Sequence, residues 1–161
     1  MKKWLMIICI FITVLFTLIY EEQLRLGWGY EINSGVYSDR YIKRYDEIVV
    51  ERTIVDFQIL PKYIIGLRLK TKDINCNYKP LRIILDEHHY FTLALDETKV
   101  THFDSPQEFE SHLEVLSLKN QSKLNYDFFT RIFKNGRRLD TNKTYKDCLN
   151  EHNIKGKVVS A

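Results

Sequence analysis

The amino-acid sequence predicts an α+β fold: an N-terminal transmembrane helix, then a small domain with an antiparallel sheet packed against helices. Three observations predict it. Residues 4–20 read WLMIICIFITVLFTLIY, seventeen positions without a charge. The middle of the chain alternates apolar and polar residues with the period of a strand. From Ser105 onward, apolar residues recur at helical spacing behind a capping signal.

The apolar run is expected to be a membrane anchor. As a helix it reaches roughly 25 Å at about 1.5 Å per residue, slightly short of a hydrocarbon core of about 30 Å. Trp4 and Tyr20 suit the two interfaces. Glu21, Glu22 and Gln23 follow directly. A signal peptidase cutting there would meet Leu18 and Tyr20 where it needs small side chains. Cys9 sits in mid-run behind Ile8, which is no lipoprotein signal. Lys2 and Lys3 precede the run, so the N-terminus is expected inside and the remainder outside. In a Gram-negative bacterium that is an inner-membrane protein with its domain in the periplasm. Three units result: an anchor over 1–22, a linker with a short helix over 23–46, and the α+β domain over 47–161.

Tyr37, Tyr41 and Tyr45 fall four residues apart, which predicts a short helix with three tyrosines on one face. Val55, Phe57 and Ile59 then alternate with Asp56 and Gln58. Tyr63, Ile65, Leu67 and Leu69 alternate after Leu60-Pro61-Lys62, so the two runs predict a hairpin. The polar stretch 71–79 is expected to be a loop, and 81–85 a third strand. Phe91, Leu93 and Leu95 predict one arm of a second hairpin. It turns through Asp96-Glu97-Thr98-Lys99 and returns at 100–103, with His102 facing Leu93. Ser105-Pro106-Gln107-Glu108 marks a helix start, and Phe109, Leu113 and Leu116 give its apolar stripe. A second helix is expected over 124–133, stopped by Asn135-Gly136. A short third one is expected around 145–149.

Charge excludes some partners. Outside residues 1–20 the chain is nearly neutral, so nothing points to nucleic acid. Residues 21–118 carry 12 basic and 17 acidic side chains, and 119–161 carry 10 and 4. Two halves of one fold can attract each other in this way. A basic tail for an acidic partner or anionic lipid is the sharper reading.

Of three cysteines, Cys9 lies in the apolar run. Cys76 and Cys148 form a candidate disulfide closing a loop of about 70 residues, worth roughly 4 kcal/mol. Two separately buried thiols are the alternative.

Chemical motifs are sparse. No phosphate-binding glycine loop, GxSxG or HExxH occurs. Asp86-Glu87-His88-His89 invites a metal reading, but neighbours on a strand point to opposite faces. Cys148 and His152 have helical spacing without thiolate-stabilising surroundings. No catalytic residue, cofactor, metal or small-molecule substrate is therefore expected. Asn120-Gln121-Ser122 and Asn142-Lys143-Thr144 match a glycosylation acceptor and matter only in a eukaryotic source.

The expected function is binding of another protein by a membrane-anchored domain without enzymatic activity, as an immunity-type or inhibitory partner. Tyr37, Tyr41, Tyr45, Arg137 and Arg138 are the candidate partner-binding residues. An accessory subunit of an inner-membrane or secretion complex is the first alternative. A small envelope enzyme with a dispersed site is the second.

Overall fold

One long strand pair carries the domain. The computed structural model describes residues 28–33 and 39–160, so the predicted anchor, residues 23–27 of the linker and Tyr37 lie outside the described residues. Among the described residues, no helix is long and apolar enough to cross a membrane. The order is β1 (Tyr30–Ile32), β2 (Ile42–Arg44), β3 (Glu47–Val50), β4 (Ile54–Ile59), β5 (Tyr63–Cys76), β6 (Lys79–Ala94), β7 (Lys99–Phe103), α1 (Pro106–Val115), a 3₁₀ turn (Lys119–Gln121), α2 (Phe128–Asn135), α3 (Lys143–Glu151) and β8 (Val159–Ser160). β1, β2 and β3 form a small antiparallel sheet. β4, β5, β6 and β7 form a larger one in sequence order, and β8 pairs with β6. Among the described residues the fold is α+β, with two antiparallel sheets and three helices.

The strand period of two sorts the core into layers. Ile65, Leu67, Leu69 and Tyr90 leave the larger sheet on one face and meet Phe109 and Leu113 of α1 and Phe129 of α2. Ile64, Phe91 and Leu93 leave on the other and meet Tyr30, Ile32, Ile42 and Val50 of the small sheet. A third cluster gathers Ile74, Cys76 and Ile83 under Leu139, Cys148, Leu149 and Val158. Each fully buried apolar side chain contributes about 2 kcal/mol, against under about 1 kcal/mol for an exposed ion pair, so these clusters set the register.

α1 starts where the capping signal puts it. The backbone N–H of Glu108 donates to Ser105 Oγ at 3.2 Å, Pro106 occupies the first turn, and Phe109 and Leu113 are buried. α2 begins at Phe128, later than the predicted 124, and ends at Gly136. Residue 124 is instead a buried Leu on the way in, and Asn125 N–H bonds Asp56 at 2.7 Å. α3 spans the predicted short helix and is capped by Asn142, whose side chain accepts from Thr144 N–H.

Four expectations are corrected. The tyrosine-striped helix is not formed: Ile42–Arg44 is a strand, Tyr41 precedes it, and Tyr45 sits in the turn after it at φ 54°. β2 pairs with β1 and with β3, and the small sheet packs on Ile64, Phe91 and Leu93 of the larger one, where a linker was expected. The predicted loop 71–79 is mostly strand, and β6 joins the predicted third strand to the first arm of the second hairpin. Polar side chains fill the outward positions there, with Asp73 paired across the ladder to Arg82 at 2.8 Å. Finally, His102 pairs with Phe91 and Val100 with Leu93, because the chain turns at 95–98 and β7 begins at Lys99.

The two charge blocks meet sparingly. The two ion pairs of Lys119, with Glu110 and Glu114, are the only ones joining them among the described residues. The basic C-terminal part is held by the third cluster instead.

Candidate functional site

The hairpin tip between β5 and β6 presents the most exposed large hydrophobic side chain of the described residues, Tyr78. Cys76 and Lys79 form the closing pair, which leaves Asn77 and Tyr78 as a two-residue connection. Both have positive φ, 52° and 62°. Such a turn matches the twist of the flanking strands. Asn tolerates the left-handed region, but a bulky aromatic residue there is uncommon and strained. The Tyr78 side chain is fully exposed, so it gains nothing from its own fold that offsets the strain.

The tip is held from one side by α3. Cys76 and Cys148 are joined as a disulfide, with Cα atoms 5.9 Å apart. Just beyond α3, His152 Nε2 donates to the Asn75 carbonyl at 3.2 Å, and Lys72 Nζ donates to the His152 carbonyl at 3.2 Å. Three ties within five residues of β5 therefore fix the strand next to the turn. Asn77, Lys143, Thr144, Asp147 and Glu151 border a shallow groove of about 280 Å³ beside it. An exposed tyrosine next in sequence to Asn77, which borders a groove bearing one cation and two carboxylates, combines an aromatic anchor with a polar rim, the features that carry protein recognition.

Of the candidate residues from the sequence, Tyr37 lies outside the described residues and the other four are described. Tyr41 is partly buried, with the Arg52 guanidinium 6.0 Å from its ring. Tyr45 is exposed at the end of the small sheet. Arg137 stacks over Tyr145 at 5.3 Å. Arg138 is bound to Asp140 at 2.7 Å, which raises the guanidinium pKa and holds the carboxyl below the usual carboxylate range. Its backbone bridges Val159. Tyr78 was not among them, because Asn-Tyr lacks the glycine that marks such turns.

The other chemical candidates are occupied. Cys148 is in the disulfide, so it is no nucleophile. His88 and His89 point apart: the His88 ring lies 4.2 Å from that of Phe129, while His89 Nδ1 meets Asp104 at 2.6 Å. Among the described residues, no group of three or more His, Cys, Asp or Glu is placed to hold a metal ion.

The histidines make stability depend on pH. Burial lowers the pKa of His88 and of His112, whose ring lies 4.8 Å from Phe103. Burial, then Arg68 and His89, lowers that of His102. A lowered imidazole pKa means the folded chain resists protonation that the unfolded chain accepts. Their contribution is whole above the ordinary 6.5 and is lost as pH falls through the native values. Asp73 and Asp140 are held below 3.8, so their loss belongs to a lower window. The urea midpoint is expected to fall between pH 7.5 and 5, and less so in His88→Phe. An unchanged slope in that variant would remove His88 as a cause.

Compared with known protein families, curated proteins and solved structures, the chain shows no match.

Proposed function

We propose that this is a single-pass membrane-anchored bacterial protein whose extracytoplasmic domain captures another protein, in the manner of an immunity-type or inhibitory partner. The observation that carries the binding reading is Tyr78: an exposed, strained aromatic side chain on a turn pinned by a disulfide. Strain held by surrounding structure points to function. A pinned turn binds without the cost of ordering a loop. The disulfide also fits an oxidising compartment, in keeping with the expected topology.

The placement of the tip supports the same reading. Tyr30 Oη donates to the Leu95 carbonyl at 3.2 Å, so β1 lies near the far end of β6 from Tyr78. β6 has 16 residues, and at about 3.3 Å each it runs up to roughly 50 Å. An anchor joined ahead of β1 would leave the tip at the distal end of the domain.

Substitution at Tyr78 tests this. With a photo-crosslinking residue at position 78, the full chain in its native membrane is expected to form an adduct with one protein. Tyr78→Gly is expected to weaken capture of that protein at least about 30-fold, the scale of a hot spot of about 2 kcal/mol. It is also expected to raise stability by roughly 1 kcal/mol, because glycine is at ease at positive φ. A merely structural tyrosine would give the opposite sign of stability change. No adduct at position 78, with capture unaltered by Tyr78→Gly, would refute the reading.

A further inference from the structure

The opposite end of the domain carries a pair of exposed aromatic residues. Trp28 is 60% exposed and Tyr45 71%. Both sit at left-handed turn positions, φ 55° and 54°. Their placement is built. The Tyr45 N–H donates to the Gly29 carbonyl at 3.1 Å. The Tyr45 ring packs so close over Gly29 that a Cβ there would lie 2.9 Å from it. Arg44 lies 5.7 Å from the Tyr45 ring and 5.2 Å from the Tyr30 ring, and its Nη1 donates to the Thr98 hydroxyl. The arginine thus braces the exposed tyrosine against the small sheet and the β6–β7 turn.

The chain outside the described structure says what covers this pair. The description begins at Trp28, and the uncharged run ends at Tyr20, so seven residues, 21–27, separate them. Even fully extended, the eight steps from Tyr20 to Trp28 span at most about 29 Å. If the run is in the bilayer, Trp28 cannot be farther than that from the interface. Trp and Tyr are the residues that settle at headgroup level, one side of the ring dry and the other wet. Nearby charges are mixed: Lys43 and Arg44 against Glu31, Asp46 and Glu47. Attraction to anionic lipid is therefore weak, and ring burial is the driving term.

We infer that the Trp28–Tyr45 end of the small sheet rests on the headgroup region of the bilayer, with zwitterionic lipid as its partner. This rests on the anchored reading above. The contact fixes the domain's tilt and holds the Tyr78 tip away from the membrane.

The chain has two tryptophans, which separates the two ideas. The full chain is reconstituted in phosphatidylcholine vesicles containing a headgroup-proximal nitroxide lipid or a deep acyl-chain one. Trp4→Phe leaves Trp28 as sole reporter; Trp28→Phe leaves Trp4. The inference expects Trp28 to lose at least half its fluorescence to the shallow quencher and to emit to the blue of its value in detergent-free unfolded chain. Adding Tyr45→Ser to Trp4→Phe is expected to reduce that quenching at least twofold. Quenching of Trp4 but not Trp28 overturns the inference and leaves the anchor standing. Quenching of neither overturns both. Quenching of Trp28 alone supports the contact and removes the anchor.

Discussion

Replacing Cys76 and Cys148 together by Ala is expected to lower the unfolding free energy by about 4 kcal/mol. The two are 72 residues apart, and closing a loop of that length removes about this much free energy of disorder from the unfolded chain. Small domains hold only about 5–15 kcal/mol in all, so the loss is a large fraction. Both cysteines are buried in the third cluster, so the double substitution also costs some packing. Urea unfolding of the detergent-solubilised chain, with and without dithiothreitol, measures the effect. Reduction of the wild type should move its midpoint close to that of the variant. Dithiothreitol should leave the variant unmoved. A wild-type midpoint indifferent to reductant would show that the bond adds nothing. The defect should be felt first at the tip: with the bond gone, α3 is held to β5 by the packing of the third cluster and by the exposed hydrogen bonds of His152 and Lys72. Amide exchange around 72–80 should rise more than exchange around 64–69.

Gly66→Ala is expected to cost about 3 kcal/mol, at the upper end for an overpacked core. Gly66 pairs with Phe91 across β5 and β6. A Cβ at 66 would lie 2.5 Å from two carbons of the fully buried Phe91 ring and 2.9 Å from the Asp56 carbonyl oxygen. The ring has no way out, because the small sheet closes over it with Tyr30, Ile42 and Val50. Phe91→Leu in the same chain should relieve part of the clash. The double variant Gly66→Ala with Phe91→Leu is then expected to be more stable than the two single losses sum to, by over about 1 kcal/mol. Simple additivity would mean that the ring and the glycine do not share one space.

The sequence reading reached the elements whose signals are local. Ser105 and Pro106 act within one turn of the helix they start, so α1 was legible to the residue. The strands at 55–59 and 63–70 were legible because their inward side chains are apolar, on both faces of the sheet at 64–67. The reading failed where the outward side chains are long and charged and the inward ones few. Between 71 and 79 only Ile74 and Cys76 are buried, and the polar residues between them read as loop. Their strand state is set by pairing with 79–84, across a turn whose Asn-Tyr lacks the glycine that would have announced a hairpin. The tyrosines at 37, 41 and 45 failed for a different reason. A spacing of four lies on one face of a helix and also on one face of a strand, so it does not separate the two. The candidate site suffered most. Nothing in Asn77-Tyr78 announces exposure, and the strain that marks Tyr78 exists only once the two-residue turn is closed. The cysteine pairing was open in the sequence because two buried thiols fit equally well.

The bond between Cys76 and Cys148 also orders the birth of the molecule. Ribosomes release the chain from its N-terminal side, so the first thiol is delivered 72 positions ahead of the second. By then the β5–β6 ladder, whose turn is only two residues long, has everything it requires to zip up in microseconds. Oxidation must wait for α3 and comes last, as a clasp shut on a garment already worn.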